Sequence, residues 1–338
     1  MKPQIKEAEK KLFEIFEIVP FIRNIQIKEE RKHSFMLSFQ EQDDRTVDIN
    51  VTFLERAVPR IVKETIDQIE GAMYNIIMAP FISEASAKIC KEFQVGYCDL
   101  SGNCWIITHN IVIVNTGNPN KYPAENHAKT IFNPSAKTTS RILRELLKDI
   151  SRTWKVKELA KTVGCSIGLV SRVKTYLCEQ RWAEMDSTGL HISDAETLMK
   201  EWSKAYSVED IVTCYTLDSI QDFENKCFSL LQGGNMKFCL TGFSGGVRYS
   251  PVVRYTKTHF WIMRSDVEEF IAETGCKKVD SGVNVVLYIA DSDEVFEDCR
   301  DINQSIVASP VQVYLDCMQL KGRGEEMAEA VFLKEIMK

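Results

Sequence analysis

Between Val156 and Leu177 the chain reads VKELAKTVGCSIGLVSRVKTYL. No other stretch restricts the fold as much. Val156, Leu159, Ala160 and Val163 recur at helical spacing and predict one short helix with a single apolar face. Gly164 tolerates the positive φ that closes a helix, and Ser166 can cap a following one. On that second helix Val170, Val173, Tyr176 and Leu177 keep to the packed side. At 100° per residue, Gly168, Ser171, Arg172 and Thr175 point away from it, with Lys174 on the flank. The expectation is two helices meeting at a tight corner, with the second presenting a small, polar, cationic face. Such a face suits entry into a major groove, where small residues permit close approach and donors meet base edges and phosphates.

Charge supports the same reading. The chain carries −6 overall, from 42 Lys/Arg and 48 Asp/Glu. Lys137 to Trp182 alone holds 11 Lys/Arg against 4 Asp/Glu, or +7, and Ser166 to Cys178 holds no carboxylate. Residues 183–338 hold 15 Lys/Arg against 26 Asp/Glu, or −11. A basic block inside an acidic chain attracts polyanions locally. The amphipathic pattern over 138–151 predicts a helix before the pair, and DSTG (186–189) predicts a hairpin after it. Together these give a winged helix-turn-helix. Arg172 and Thr175 would face bases, with Ser171 near an edge or phosphate and Ser166 and Gly168 allowing approach. Arg152, Lys155, Lys157 and Lys174 would hold phosphates, and Arg181 with the hairpin would approach the flanking backbone or minor groove.

The flanks read as α/β, so the expected class is α/β (α+β). Residues 1–125 form one domain, with strands at HSFMLSF, VDINVTFL and MYNIIMAPF and a helix at SEASAKICKEFQ capped by Ser83. Residues 126–200 hold the winged helix, after a turn-rich linker at 115–127, and 205–338 form a second α/β domain. An Asp99 followed by paired strands suggests a restriction-endonuclease-like first domain. The downstream acid and lysine that would hold Mg²⁺ are replaced by Asn115 and Gly117, so Asp99 reads as a turn residue. In the last domain LTGFSGG (240–246) and ADSD (290–293) allow a nucleotidyltransferase-like fold. They are read here as a strand-to-strand turn and a solvated acidic loop, because the glycines open no recognisable helix. No enzymatic activity, cofactor or metal site is expected. Eleven scattered cysteines without a CxxC pair point to reduced thiols in a cytoplasmic protein. No apolar run is long enough to span a membrane.

Three further stretches carry a resemblance: APFISEASAKICKEFQVGYCDLSGNCWI (79–106), SPVQVYLDCMQL (309–320) and GRGEEMAEAVF (322–332). Arranged around a central winged helix, they resemble the AbiEi-type antitoxins of type IV toxin–antitoxin systems. The resemblance runs from about residue 75 to the end. It implies a repressor that binds double-stranded DNA at its own promoter through residues 166–175, and a nucleotidyltransferase toxin encoded nearby that is countered without a stable protein complex. The chain departs from many members in carrying about 135 residues ahead of the winged helix. A homodimer is expected because operators mirror two-fold symmetry. The alternatives are a DNA-targeted nuclease, a nucleotidyltransferase-derived enzyme, or a winged-helix module used for protein contact.

Overall fold

The computed structural model describes residues 3–29, 31, 33–69, 71–108, 110–122, 131–133, 136–231 and 236–338. Residues 123–127 of the expected linker lie outside them. The chain is of mixed α/β class and divides into two compact units. Met1–Ala128 with Cys178–Arg181 makes one, and Lys129–Leu177 with Trp182–Lys338 makes the other.

The first unit is one sheet covered on both faces. Its elements are α1 (Pro3–Glu17), β1 (Arg23–Lys28), β2 (Ser34–Gln40), β3 (Thr46–Phe53), α2 (Pro59–Asp67), β4 (Tyr74–Ala79), α3 (Glu84–Glu92), β5 (Gly96–Asp99), β6 (Cys104–Ile107) and β7 (Val112–Asn115). The seven strands lie in sequence order. Pairs β3–β4 and β4–β5 are parallel and the rest antiparallel. Strand β4 explains why both faces are covered. Ile76 and Met78 enter the core with Leu12 and Phe16 of α1, whereas Ile77 and Ala79 enter a second core with Val62 of α2 and Cys90 of α3. A strand buried on both sides reads as a continuous apolar run, as YNIIMA does. Ser83 caps α3 as expected, its hydroxyl accepting from the Ser86 N–H.

The second unit opens with helices: α4 (Lys137–Lys148), α5 (Val156–Val163) and α6 (Ile167–Glu179). The strands β8 (Ala183–Met185) and β9 (Leu190–Ile192) and helix α7 (Ala195–Ala205) follow. Next come β10 (Ile211–Tyr215), α8 (Ile220–Leu231), β11 (Phe238–Thr241), α9 (Gly242–Tyr249), β12 (Thr258–Met263), α10 (Val267–Thr274), β13 (Lys277–Lys278) and β14 (Val285–Ala290). The unit closes with β15 (Arg300–Ile302), β16 (Ser305–Val307), α11 (Pro310–Met318) and α12 (Gly324–Val331). Its large sheet has the order β13-β10-β14-β12-β11-β16-β15. One face carries an aromatic cluster of Phe223, Phe228, Phe238, Phe260 and Phe270, which packs α8 and α10 down. The opposite face carries α9, α11 and α12.

One local expectation fails here. LTGFSGG is not a strand-to-strand turn: helix α9 begins directly after β11. Glycine disfavours helices, but packing overrides that preference. A Cβ on Gly246 would fall 2.5 Å from Met327 Sδ, so the glycines let α9 lie close against α12.

Candidate nucleic-acid interface

Helices α4, α5 and α6 bury one stripe each. Ile142, Leu143, Leu146 and Leu147 of α4, Leu159, Ala160 and Val163 of α5, and Val170, Val173 and Leu177 of α6 are all buried, and α4 packs against α5. Each of the Val, Leu and Ile side chains contributes about 1.5–3 kcal/mol by leaving water. The corner forms as the sequence predicts. Gly164 closes α5 at φ 70° in the left-handed region. Ser166 Oγ accepts from the Leu169 N–H at 3.2 Å and starts α6.

The hairpin is local chemistry too. Asp186 Oδ1 accepts from Thr188 N, Thr188 Oγ1 and Gly189 N at 2.7, 2.6 and 3.1 Å. The hydrogen bond from the Thr188 hydroxyl, with those from the backbone, holds the Asp186 carboxyl below its usual range. Backbone hydrogen bonds of 2.8 and 2.9 Å tie Trp154 to Leu190, so the segment before α5 runs beside β9. A Cβ at Gly189 would come within 2.7 Å of the Trp154 carbonyl oxygen. Only glycine permits that approach.

Most of the expected residues are exposed. Ser166, Gly168, Arg172 and Thr175 of the α6 face are exposed, and Ser171 and Lys174 are half-buried. Lys157 on α5 is exposed. Arg172, Lys174 and Lys157 make no hydrogen bond or ion pair with any described residue. Two expected phosphate holders are engaged instead. Arg152 pairs with Glu158 at 2.7 Å and lies 3.6 Å over the Trp154 ring. Lys155 Nζ donates to the Ser187 carbonyl in the hairpin turn at 2.9 Å. Arg181 is exposed and sits at φ 63° between α6 and β8.

Helix α4 behaves differently, and sequence reasoning did not foresee it. Lys137 donates to Ser292 Oγ at 3.1 Å, Arg141 pairs with Glu297 at 2.9 Å, and Lys148 pairs with Asp298. Arg144 is buried; it donates to Gln312 Oε1 at 2.6 Å and to Ser309 Oγ at 3.5 Å. Burial lowers its pKa. Gln312 passes the contact on, donating to Asp316 at 2.8 Å. Asp316, fully buried, also accepts from Tyr206 at 2.6 Å, from Trp261 Nε1 at 2.7 Å and from Thr241. Burial raises the Asp316 pKa, and the four donors oppose that rise. The i, i+4 spacing of Gln312 and Asp316 in SPVQVYLD was a visible signal of one polar helix face in an otherwise apolar segment. The acidic loop at ADSD is likewise not simply solvated. Asp291 holds Arg264 at 2.6 Å and Asp293 holds Lys237 at 2.5 Å, while Glu297 and Asp298, a few residues on, hold α4.

Asp99 is fully buried and accepts from Ile82 N at 3.1 Å and from Asn103 N and Nδ2 at 2.8 and 2.9 Å, as a turn residue does. Among the described residues no group of three or more His, Cys, Asp or Glu could hold a metal ion, and no helix is long and apolar enough to cross a membrane.

The arrangement defines a mixed α/β chain whose basic helix pair is joined to a large acidic sheet domain. Residues 191–337 match the family model described as a transcriptional regulator, the AbiEi antitoxin of type IV toxin–antitoxin systems. The stretches 309–320 and 322–332 lie inside that span; 79–106 and the helix pair itself lie outside it. No curated protein and no solved structure matches the chain.

Proposed function

We propose that α4 to α6 with the β8–β9 hairpin form a winged helix-turn-helix that binds double-stranded DNA, and that the chain is an antitoxin-type repressor of its own operon. One observation carries this reading: the α6 face is exposed, free of carboxylates, and its cations have no described partner. Arg172 and Thr175 read base edges, Ser171 meets an edge or phosphate, and Ser166 and Gly168 let α6 approach. Lys157 and Lys174 bind phosphates, and the N-terminal dipole of α6 adds to their field. Arg152 and Lys155 keep the hairpin and the α5 entry in place while facing the flanking backbone, where Arg181 joins them. The expected division into 1–125, 126–200 and 205–338 belongs to this reading, with the first part restriction-endonuclease-like in fold and the last nucleotidyltransferase-like. The family match supports the regulatory role and implies a toxin as functional partner. A two-fold operator would be met by a homodimer.

A gel shift with the DNA upstream of the gene, titrated with salt, tests the proposal. Specific binding should weaken steeply, with log K falling by about 0.9 per phosphate neutralised for each unit of log salt. Equal affinity for unrelated duplexes would remove the repressor role, and no binding at low salt would remove the DNA-reading role altogether.

A further inference from the structure

The C-terminal sheet carries a cavity of about 710 Å³ that DNA binding leaves unused. Its apolar wall includes Phe243 of α9, Tyr288 and Val286 of β14, and Leu320 after α11. Arg254, Lys257 and Lys321 also line it, and no Asp or Glu does. That is unexpected in a region with 26 acidic against 15 basic residues. The neighbouring cavity of about 530 Å³ shows the ordinary mixture, with Glu209, Asp210, Asp291 and Glu294 beside its cations. Several other cations in this part of the chain pair with acids: Arg248 with Glu224, Lys278 with Glu268 and Arg300 with Glu335. Arg254, Lys257 and Lys321 pair with no described residue. Like charges gathered without counter-charges raise a local positive potential that an anion relieves.

His259 adds a second, independent signal. It lines the cavity, is 4 % exposed, and its ring centroid lies 6.3 Å from Phe243 and 5.9 Å from Tyr288. Its backbone is locked by Ser244 Oγ, which accepts from His259 N at 2.9 Å and donates to its carbonyl at 3.1 Å. Its Nδ1 is buried and has no hydrogen-bond partner. Buried polar atoms in native proteins are nearly always satisfied, by protein, ordered water or ligand, so this one has capacity for a further partner. Burial, and then the Lys257 charge, push the imidazole pKa down to about 4. Near pH 7 the ring is neutral and offers a hydrogen bond without adding charge.

The volume lies within the range of small-molecule sites. An inorganic anion would use the cations but has no need of Phe243 and Tyr288. An apolar ligand would leave the cations without purpose. We propose that this cavity binds a nucleotide, with Arg254, Lys257 and Lys321 receiving its phosphates, Phe243 and Tyr288 lying against its base, and His259 Nδ1 bonding the base edge. The nucleotide is either free in solution or the terminal residue of a single strand. The site does not depend on α6 binding a duplex, so either reading can fail alone.

Calorimetric titration of the full chain with ATP, GTP, CTP and UTP tests the idea. Parallel arms use a short 5′-phosphorylated single-stranded oligonucleotide, inorganic triphosphate and the free nucleosides. Saturable binding of at least one nucleotide below about 1 mM is expected. It should be at least about tenfold tighter than inorganic triphosphate or the nucleoside alone, since each supplies only half of the recognition. Tighter binding of the free triphosphate identifies a soluble ligand, and tighter binding of the oligonucleotide identifies a strand end. The combined variant R254E/K257E/K321E changes exposed rim residues only, and should lose binding by more than about tenfold with its urea unfolding midpoint unchanged. Should it not fold, Lys321→Ala alone should weaken binding by about threefold. Absence of binding in every arm, inorganic triphosphate binding as tightly as the best nucleotide, or full affinity in the rim variants overturns the proposal.

Discussion

Helices α4 and α6 come from the same basic block, yet their charges meet opposite ends. Every cation of α4 has a partner drawn from residues 292–312: Ser292 for Lys137, Glu297 for Arg141, Gln312 and Ser309 for Arg144, and Asp298 for Lys148. On α6, Arg172 and Lys174 have none among the described residues. A count of +7 therefore overstates the free positive charge of the block. Part of that charge fastens α4 to the acidic sheet domain, and the remainder faces outward. Positive charge in one stretch of sequence serves cohesion and recognition separately, and the location of the carboxylates decides which.

That contrast can be broken in several ways. The largest effect belongs to the buried end of the α4 contact. Asp316→Leu would leave the Thr241, Tyr206, Gln312 and Trp261 donors without their acceptor, at a cost of about 1–3 kcal/mol for each that cannot re-pair. A total loss of about 4 kcal/mol in urea unfolding is expected, and a loss below about 1 kcal/mol would mean that the network is not the anchor described. Arg172→Ala should reduce operator affinity by about 1–3 kcal/mol and relax specificity while leaving the unfolding midpoint in place. A uniform loss on all sequences would reassign Arg172 to phosphate contact. Lys157→Ala and Lys174→Ala should each lower the salt slope of binding by about 1, with similar effect on every sequence. The smallest change is expected for Arg141→Ala combined with Lys148→Ala. Both pairs are partly exposed, so stability should fall by about 1 kcal/mol or less, with the salt slope untouched. A slope that drops with this pair would show that α4 charge reaches the duplex after all.

Acidity offers a further check on the interior of the same domain. The His259 pKa of about 4 lies below the unfolded value near 6.5. Between those two pH values the unfolded chain binds the proton and the folded chain does not, so this residue's contribution is full above pH about 6.5 and falls as pH drops toward 4. The loss should approach about 3 kcal/mol, read as the difference in pH dependence between the natural chain and His259→Asn. Identical pH profiles for the two would place His259 in water.

Much of the fold was legible in the residues. Ser83, Gly164, Ser166 and Asp186 act through atoms a few positions away, so their caps and turns follow from local chemistry. The apolar run of β4 and the stripe of α4 likewise announced themselves. The strands β1, β13 and β15 did not, since they lie at sheet edges and carry mostly exposed or half-buried residues, and β16 did not because it is only three residues long. Helix α9 was hidden because its glycines oppose helix formation in isolation, and only the close approach of Leu240 and Val313 to Gly245 and of Met327 to Gly246 shows why they are needed. Of the candidate site, the outward face of α6 was readable from helical periodicity. The engagement of Arg152 by Glu158 and Trp154 was not, although all three lie within seven residues, because rotamer choice is settled by packing.

By itself the sequence determined the corner between α5 and α6 and the side of α6 turned outward, because backbone preference, capping and helical period act over a few residues. The tertiary structure decided which cations stay available. The partners of Arg141, Arg144 and Lys148 lie at least 150 residues away along the chain, and only the folded sheet domain brings their opposing groups within bonding distance.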